Sequence, residues 1–132
     1  MKIALTLLAL SLGILNSSLV QAHDPEALAP LTEITLADGR DIVADTKGRV
    51  VYSFDPDAPG VSNCYDGCAK TWPPVIVSTA AGLAEPMGVT KRKTGELQLT
   101  IDNKPLYFFI GDSKPNDING DGIGNVWHIV QD

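Results

Sequence analysis

The chain has 132 residues, 44% of them hydrophobic, and its 16 Asp and Glu outnumber its 10 Lys and Arg to give a net charge of −6. An acidic surface repels phosphate groups, which excludes nucleic acid and anionic membranes as expected partners. With two histidines, the chain has no His-rich metal cluster.

The first 22 residues are typical of a secretory signal peptide. A mostly apolar run at Ile3–Leu15 follows a positive start, and it is too short to cross a membrane, which takes about 20 apolar residues. Val20 and Ala22 are the small residues expected before a cleavage site. We predict that the exported chain is a single domain, 23–132, in the periplasm or outside the cell. No cysteine lies near the cleavage site, so no lipid anchor is expected, and no later segment resembles a transmembrane span.

The next segment, 31–54, has the pattern of a β-meander. Runs rich in β-branched residues alternate with turn residues about every ten positions. A second segment, 88–109, repeats the pattern, and Leu97–Ile101 within it alternates apolar and polar residues as a half-buried strand does. A further strand is predicted near each tryptophan, and no ten-residue stretch has a helical period. The predicted turns are Asp38–Gly39, Lys47–Gly48, Thr94–Gly95 and Asp102–Asn103.

An internal repeat organises these strands. Six residues recur at a constant offset of 55 positions. The recurring pairs are Tyr52 and Tyr107, Phe54 and Phe109, Asp57 and Asp112, Asp66 and Asp121, Gly67 and Gly122, and Trp72 and Trp127. Such a period indicates one supersecondary unit used twice. We therefore predict an all-β fold of two four-stranded units (about 31–77 and 88–130), related by a pseudo-twofold axis and packed as a sandwich or small barrel.

The repeated spacing Tyr-x4-Asp, at Tyr52–Asp57 and Tyr107–Asp112, is followed by the stretches NCYDGCAKTWPP and NGDGIGNVWHIV. This pattern resembles a bacterial secreted-repeat family with a Y-x4-D motif, many of whose members are described as predicted lipoproteins. The resemblance extends from about Gly39 to Val130. It implies an exported repeat domain and carries over no activity, substrate or catalytic residue. The chain departs from the lipoprotein members because it lacks their lipid-acceptor cysteine.

The two motif carboxylates have two possible roles. Pro56 and Gly111 break the strands that lead to them, which places Asp57 and Asp112 at strand-to-loop corners. A carboxylate at such a corner can accept N–H bonds of the turn, or the tyrosine hydroxyl of the other unit. The alternative is that the two aspartates converge across the pseudo-twofold axis as a paired-carboxylate site. The structural role is favoured, because Asp is common in turns.

Cys64 and Cys68 lie in the long loop of the first unit. Their spacing is one residue longer than the redox motif Cys-x-x-Cys, and no helix is predicted after the first cysteine. We predict a structural disulfide that contributes about 2 kcal/mol by closing a tight loop.

The stretch Asn116–His128 contains a partial calcium-loop pattern. Asp117, Asn119 and Asp121 fill alternate ligand positions, but His128 stands where a bidentate Glu is required. The Asp-Gly pair within the pattern also occurs in the first unit without the other ligands, which favours a turn. Any calcium affinity is expected in the weak range of about 10⁻⁴ to 10⁻³ M.

The histidines suggest a second metal alternative. After cleavage, His23 would be the N-terminal residue, whose amine and imidazole can chelate copper, and His128 could supply a third nitrogen. The two residues are far apart in the sequence, so their spacing gives little support to a shared copper site.

The sequence contains no nucleophile elbow and no phosphate-binding glycine loop. We predict an exported, non-enzymatic envelope protein with a binding or structural role, whose partner is another envelope protein or a small ligand. A copper or calcium protein is the alternative. An enzyme that acts through Asp57 and Asp112 is the third possibility.

Overall fold

The computed structural model describes residues 30–131, in which short β-strands predominate. The predicted signal peptide and His23 lie outside these described residues. The strands are β1 (Leu31–Thr35), β2 (Asp41–Asp45), β3 (Tyr52–Phe54), β4 (Ile76–Val77), β5 (Met87–Lys91), β6 (Leu97–Ile101), β7 (Lys104–Pro105) and β8 (Trp127–Ile129). No helix within the described range is long and apolar enough to cross a membrane.

Each repeat opens with an antiparallel hairpin, β1 with β2 and β5 with β6. Gly39 and Gly95 make the turns with φ angles of 93° and 94°, a conformation that a side chain disfavours. Both predicted turns are therefore confirmed.

The next turns differ between the repeats by one residue. Asp45 pairs with Arg49 across a three-residue loop that contains Gly48, whereas a two-residue turn joins β6 to β7. Asp102 and Asn103 form this shorter turn with φ angles of 50° and 64°, the left-handed pair that a tight hairpin requires. Equivalent residues of the two opening hairpins are consequently 56 positions apart in the sequence, whereas equivalent residues of the two tyrosine strands are 55 apart.

The last strand of each repeat crosses to the other repeat. β3 pairs with β8, with Tyr52 opposite Ile129, and β4 pairs with β6. At the centre, Tyr52 and Tyr107 exchange backbone hydrogen bonds of 2.8 and 3.0 Å. The all-β fold of two tandem repeats is confirmed, and its open sheets of two to four strands do not close into a barrel. The units are not self-contained four-stranded sheets, because each depends on a strand from the other.

Two apolar clusters lie on opposite sides of the central strands. Val50 belongs to the cluster that contains both tryptophans, and the adjacent Val51 belongs to the cluster around Leu99 and Leu106. Successive strand residues point to opposite faces, so these strands are buried on both sides.

One short α-helix and one 3-10 turn (Ile123–Asn125) interrupt the strands of the described chain. α1 (Gly67–Thr71) contains Cys68, so the expectation that no helix follows Cys64 is wrong. Five residues make little more than one turn, which is too short to display a helical period in the sequence.

Candidate functional site

The two Tyr-x4-Asp motifs are joined by crossed hydrogen bonds. The Tyr52 hydroxyl donates to Asp112 Oδ2 at 2.6 Å, and the Tyr107 hydroxyl donates to Asp57 Oδ2 at 2.7 Å. Each aspartate therefore accepts a hydrogen bond from the tyrosine of the other repeat. This is the contact expected for a carboxylate at these corners.

The second oxygen of each carboxylate fixes the following loop. Asp57 Oδ1 accepts the backbone N–H of Asn63 at 2.7 Å, and Asp112 Oδ1 accepts that of Asn119 at 2.9 Å. Sequence reasoning missed this equivalence, because a constant offset of 55 aligns Asn119 with Cys64. The loop after Asp112 is one residue longer than the loop after Asp57, so the structural counterpart of Asn119 is Asn63, 56 positions earlier.

The aromatic residues of both motifs form a single stack. The rings of Trp72 and Trp127 are 3.8 Å apart and nearly parallel, at 3°. Phe54 stacks on Trp127 at 4.1 Å, and Phe109 stacks on Trp72 at 4.4 Å. A Cβ on Gly120 would approach the Trp72 ring to 2.7 Å, so this position has no room for a side chain.

Burial keeps the tyrosines protonated. It raises the pKa of Tyr52 and Tyr107 well above the usual value of 10.0, and the bonds to the aspartates raise it further. Burial also raises the pKa of Asp57, opposed by the hydrogen bonds from Asn63 and Tyr107. These hydroxyls are hydrogen-bond donors and cannot supply a phenolate nucleophile near neutral pH.

A buried arginine distinguishes one motif from the other. Arg92, 5% exposed, donates to Ser62 Oγ at 2.9 Å, to Gln98 Oε1 at 2.8 Å and to the Cys64 carbonyl at 2.7 Å. The Tyr107 hydroxyl donates its hydrogen bond to Asp57, so the Ser62 hydroxyl is the donor in its 2.6 Å hydrogen bond to Tyr107 Oη. A continuous chain of donors thus leads from Arg92 to Asp57.

The equivalent places in the other half are apolar. At the hairpin offset of 56, Leu36 and Ile42 correspond to Arg92 and Gln98, and Ile118 corresponds to Ser62. All three apolar residues belong to the tryptophan cluster or pack against it. Sequence reasoning missed Arg92, because it lies in the run Lys-Arg-Lys (91–93), which is typical of a solvated surface.

The predicted disulfide is confirmed. Cys64 and Cys68 are bonded, with an S–S distance of 2.02 Å. The bond closes the loop 64–68, and the Cys64 carbonyl at its first residue accepts a hydrogen bond from Arg92.

The candidate calcium ligands point to separate backbone groups. Asp117 Oδ2 accepts the N–H groups of Ser113 and Lys114, both at 3.0 Å, whereas Asp121 Oδ1 accepts that of Ile129 at 3.1 Å. Within residues 30–131, no group of three or more His, Cys, Asp or Glu is placed to hold a metal ion. These contacts fit the turn interpretation of the loop, and calcium binding itself stays a prediction for solution tests.

The copper alternative has one ligand outside the described residues, His23. Its other ligand, His128, places Nε2 2.9 Å from Asp55 Oδ2. This nitrogen therefore already has a hydrogen-bond partner in the protein.

Two pseudo-equivalent clefts lie beside the motifs. We call the first the acidic cleft: it has a volume of about 200 Å³, and its charged residues are Asp55, Asp57, Asp102 and Lys104. We call the second the basic cleft: it has a volume of about 140 Å³, and its charged residues are Lys47, Arg49, Asp112 and Lys114.

The clefts separate the two motif carboxylates, because Asp57 lines the acidic cleft and Asp112 lines the basic cleft. The paired-carboxylate alternative required them to converge. In the structure each carboxylate is bonded to a tyrosine and lines its own cleft, which favours the structural role over the paired-carboxylate alternative.

The fold and the site define a class: an all-β protein of two interlocked tandem repeats, joined by crossed Tyr–Asp bonds and a shared aromatic stack. Within this class, the chain belongs to the family described as a secreted repeat of unknown function. The family model matches residues 33–76 and 88–131, one match for each repeat. This confirms the resemblance found in the sequence. Comparisons with curated proteins and with solved structures found no match.

Proposed function

We propose that this protein is an exported, non-enzymatic binding protein of the bacterial envelope, in which the Tyr-x4-Asp motifs build a rigid scaffold and the clefts beside them receive the ligand. One observation carries the proposal: the tyrosine and aspartate of each motif bond to those of the other, at 2.6 and 2.7 Å. The Tyr-x4-Asp spacing repeated in each half is thereby explained by architecture.

The chemistry of the motif supports a role without catalysis. A nucleophile or general base needs a pKa near the working pH, whereas the pKa of both tyrosines is displaced far above it. Asp57 and Asp112 each have both oxygens engaged in hydrogen bonds. The side chain that donates to each carboxylate is a tyrosine whose raised pKa keeps its hydroxyl protonated.

The clefts favour binding over a purely structural role. Each has an apolar wall from the aromatic stack, Phe54 in one and Phe109 in the other, with charged groups at the rim. Apolar walls with a few polar groups are typical of small-ligand sites. A third cavity, about 280 Å³ in volume, shares Asp55 and Lys104 with the acidic cleft and enlarges the surface available there.

Native mass spectrometry of protein purified from the exporting cells would test the proposal. We expect a bound molecule on the wild type. A cleft variant, Lys114→Gln or Asp102→Asn, should lose this molecule while keeping the wild-type melting temperature. The motif variant Tyr107→Phe should melt earlier but retain the molecule below its melting temperature.

The opposite pattern would contradict the proposal. If Tyr107→Phe stayed folded and lost the bound molecule while both cleft variants kept it, the motif would itself be the binding or reactive site. A wild type that carries no added mass, and whose clefts tolerate every substitution, would favour a purely structural role.

A further inference from the structure

We propose that the basic cleft binds a small organic carboxylate, with Arg49 as its principal ligand. The inference rests on the proposed binding function and adds the chemical class of the ligand. Three features carry it: a pre-positioned guanidinium, two lysines beside it, and an apolar wall of limited size.

Arg49 is held in place by two contacts. Its Nε donates to Asp45 Oδ2 at 2.7 Å, and its guanidinium lies 4.2 Å above the centre of the Phe108 ring. Asp45 is itself fixed, because its Oδ1 accepts the backbone N–H groups of Lys47 and Arg49 at 2.9 and 2.8 Å. The side chain is 57% exposed, so the guanidinium is positioned by the protein and still open to solvent.

The outer edge of this guanidinium is available to a ligand. Among residues 30–131, neither Nη atom of Arg49 has a protein partner. Two parallel N–H groups on one planar edge match the two oxygens of a carboxylate. Because the side chain is already fixed, less conformational entropy is lost on binding.

The basic cleft carries positive charge, although the protein as a whole is acidic. Lys47 and Lys114 line it beside Arg49, and neither ammonium forms an ion pair within the described part of the chain. Asp112 is the one acidic residue in the lining, and both its oxygens are occupied, by Tyr52 and by Asn119. Asp45 is paired with Arg49. The two lysines outweigh the charge of Asp112, so the cleft keeps an excess of positive charge, which favours an anion.

The size of the cleft and its apolar wall restrict which anions can bind. Phe109 and Pro115 provide apolar surface. The volume of about 140 Å³ lies below the range of about 300–1,000 Å³ typical of larger ligands. A carboxylate with a single ring or a few carbons fits these limits. Both a free acid and the carboxyl end of a peptide chain present this chemistry.

The acidic cleft is an internal control, because it uses the same scaffold with other side chains. Lys104 takes the place of Arg49, Asp102 that of Lys47, and Pro59 that of Lys114. Lys104 also lacks the anchor, since Ile101 stands where the other repeat has Asp45. We expect no carboxylate affinity there.

The test is a titration of the full exported protein followed by amide NMR at low salt, with benzoate and with the neutral isostere benzamide. We expect benzoate to shift the amide signals around Arg49 and Ser113 and benzamide to leave them in place. Acetylalanine and its amide form a second pair of probes, and a stronger response to acetylalanine than to benzoate would identify a chain terminus as the source.

Three variants test which residues of the two clefts bind benzoate. Lys114→Gln removes an ammonium that forms no ion pair within the described residues. It should therefore weaken benzoate binding at least threefold without altering the fold. Arg49→Lys keeps the charge, loses the planar fork and should weaken binding at least tenfold. Lys104→Gln, in the acidic cleft, should leave the affinity unchanged.

Several outcomes would overturn the inference. Equal responses to benzoate and benzamide would remove the carboxylate assignment, and so would tighter binding of inorganic phosphate than of benzoate. If native mass spectrometry found a bound molecule that Asp102→Asn releases and Lys114→Gln retains, the proposed binding function would stand and this inference would fail. If no molecule were retained and benzoate did not bind, both would fail.

Discussion

Tyr107 donates its hydroxyl proton to Asp57 at 2.7 Å, although 50 positions separate the two residues in the chain. The matching bond joins Tyr52 to Asp112. Each half-buried carboxylate thus accepts one of its hydrogen bonds from the other repeat, and a repeat alone would lose this bond. We infer that the two repeats fold as one cooperative unit.

The ionisation of Asp57 should have a measurable effect on stability. Burial raises its pKa above the usual value of 3.8. The folded state then holds the proton to higher pH than the unfolded state, so the contribution of Asp57 to stability is full below the unfolded pKa and is lost as pH rises through the folded pKa. The free energy of unfolding of the wild type, relative to Asp57→Asn, should fall as pH rises above about 4. Urea denaturation across this range measures the difference, and a difference that rises with pH would contradict the raised pKa.

The tryptophan pair should have a spectroscopic signature. Trp72 and Trp127 are the two tryptophans of the chain, and their rings stack at 3.8 Å. We expect an exciton couplet in the circular dichroism spectrum that disappears in Trp72→Phe and equally in Trp127→Phe. Either replacement keeps an aromatic ring in the stack, so the protein should stay folded. A couplet that survives one replacement would exclude the stacked pair as its origin.

Removal of the Arg92 side chain should destabilise the protein strongly. In Arg92→Leu, Ser62, Gln98 and the Cys64 carbonyl lose the donors that now satisfy them. Leaving a buried acceptor unpaired costs about 1–3 kcal/mol.

The pseudo-equivalent positions provide a matched control for this variant. The triple variant Arg92→Leu, Gln98→Ile, Ser62→Ile carries the residue types found there, at Leu36, Ile42 and Ile118, and should recover most of the lost stability. Denaturant midpoints with unchanged m-values would measure both effects. A triple variant less stable than Arg92→Leu would show that the two halves are not interchangeable in packing.

Calcium should have little effect on stability. Asp117 and Asp121 accept backbone N–H groups at different turns, so an ion would have to replace these bonds. We expect the melting temperature in EDTA and in millimolar calcium to agree within a degree or two, consistent with an affinity no tighter than about 10⁻⁴ M. A rise of many degrees that Asp117→Ala abolishes would establish the loop as a calcium site.

Copper requires a separate measurement, because His23 lies outside the described residues. With His128 already bonded to Asp55 at 2.9 Å, we expect His128→Ala to change Cu(II) affinity little. Tight binding that one extra residue before His23 abolishes would support the copper alternative.

Much of the local structure could be predicted from the sequence. The turns at Gly39 and Gly95 follow from residue type, because glycine adopts positive φ without strain. The crossed bond between Tyr107 and Asp57 could be anticipated as one of the options for a carboxylate at a strand corner. These features depend on neighbouring residues, or on the repeat itself.

The long-range arrangement could not be predicted in the same way. A strand pattern does not specify its partner, so the pairing of β4 with β6 in place of a strand of its own repeat left no local signal. The burial of Arg92 also left no local signal, because its partner Ser62 lies 30 positions away in the chain. The pre-positioned Arg49 depends on Phe108 for the same reason.

The central claim is that the motif joins the two repeats, and a double-mutant cycle tests it most directly. Tyr107→Phe and Asp57→Ala, alone and combined, should show a coupling free energy of about 0.5–3 kcal/mol, because each removes the same bond. Tyr107→Phe combined with Asp112→Ala is the control: these residues are not bonded to each other, and their effects should add to within about 0.5 kcal/mol. We expect coupling in the crossed pair and additivity in the control. Additivity in both pairs would contradict it and show that the hydrogen bond between the repeats does not hold them together.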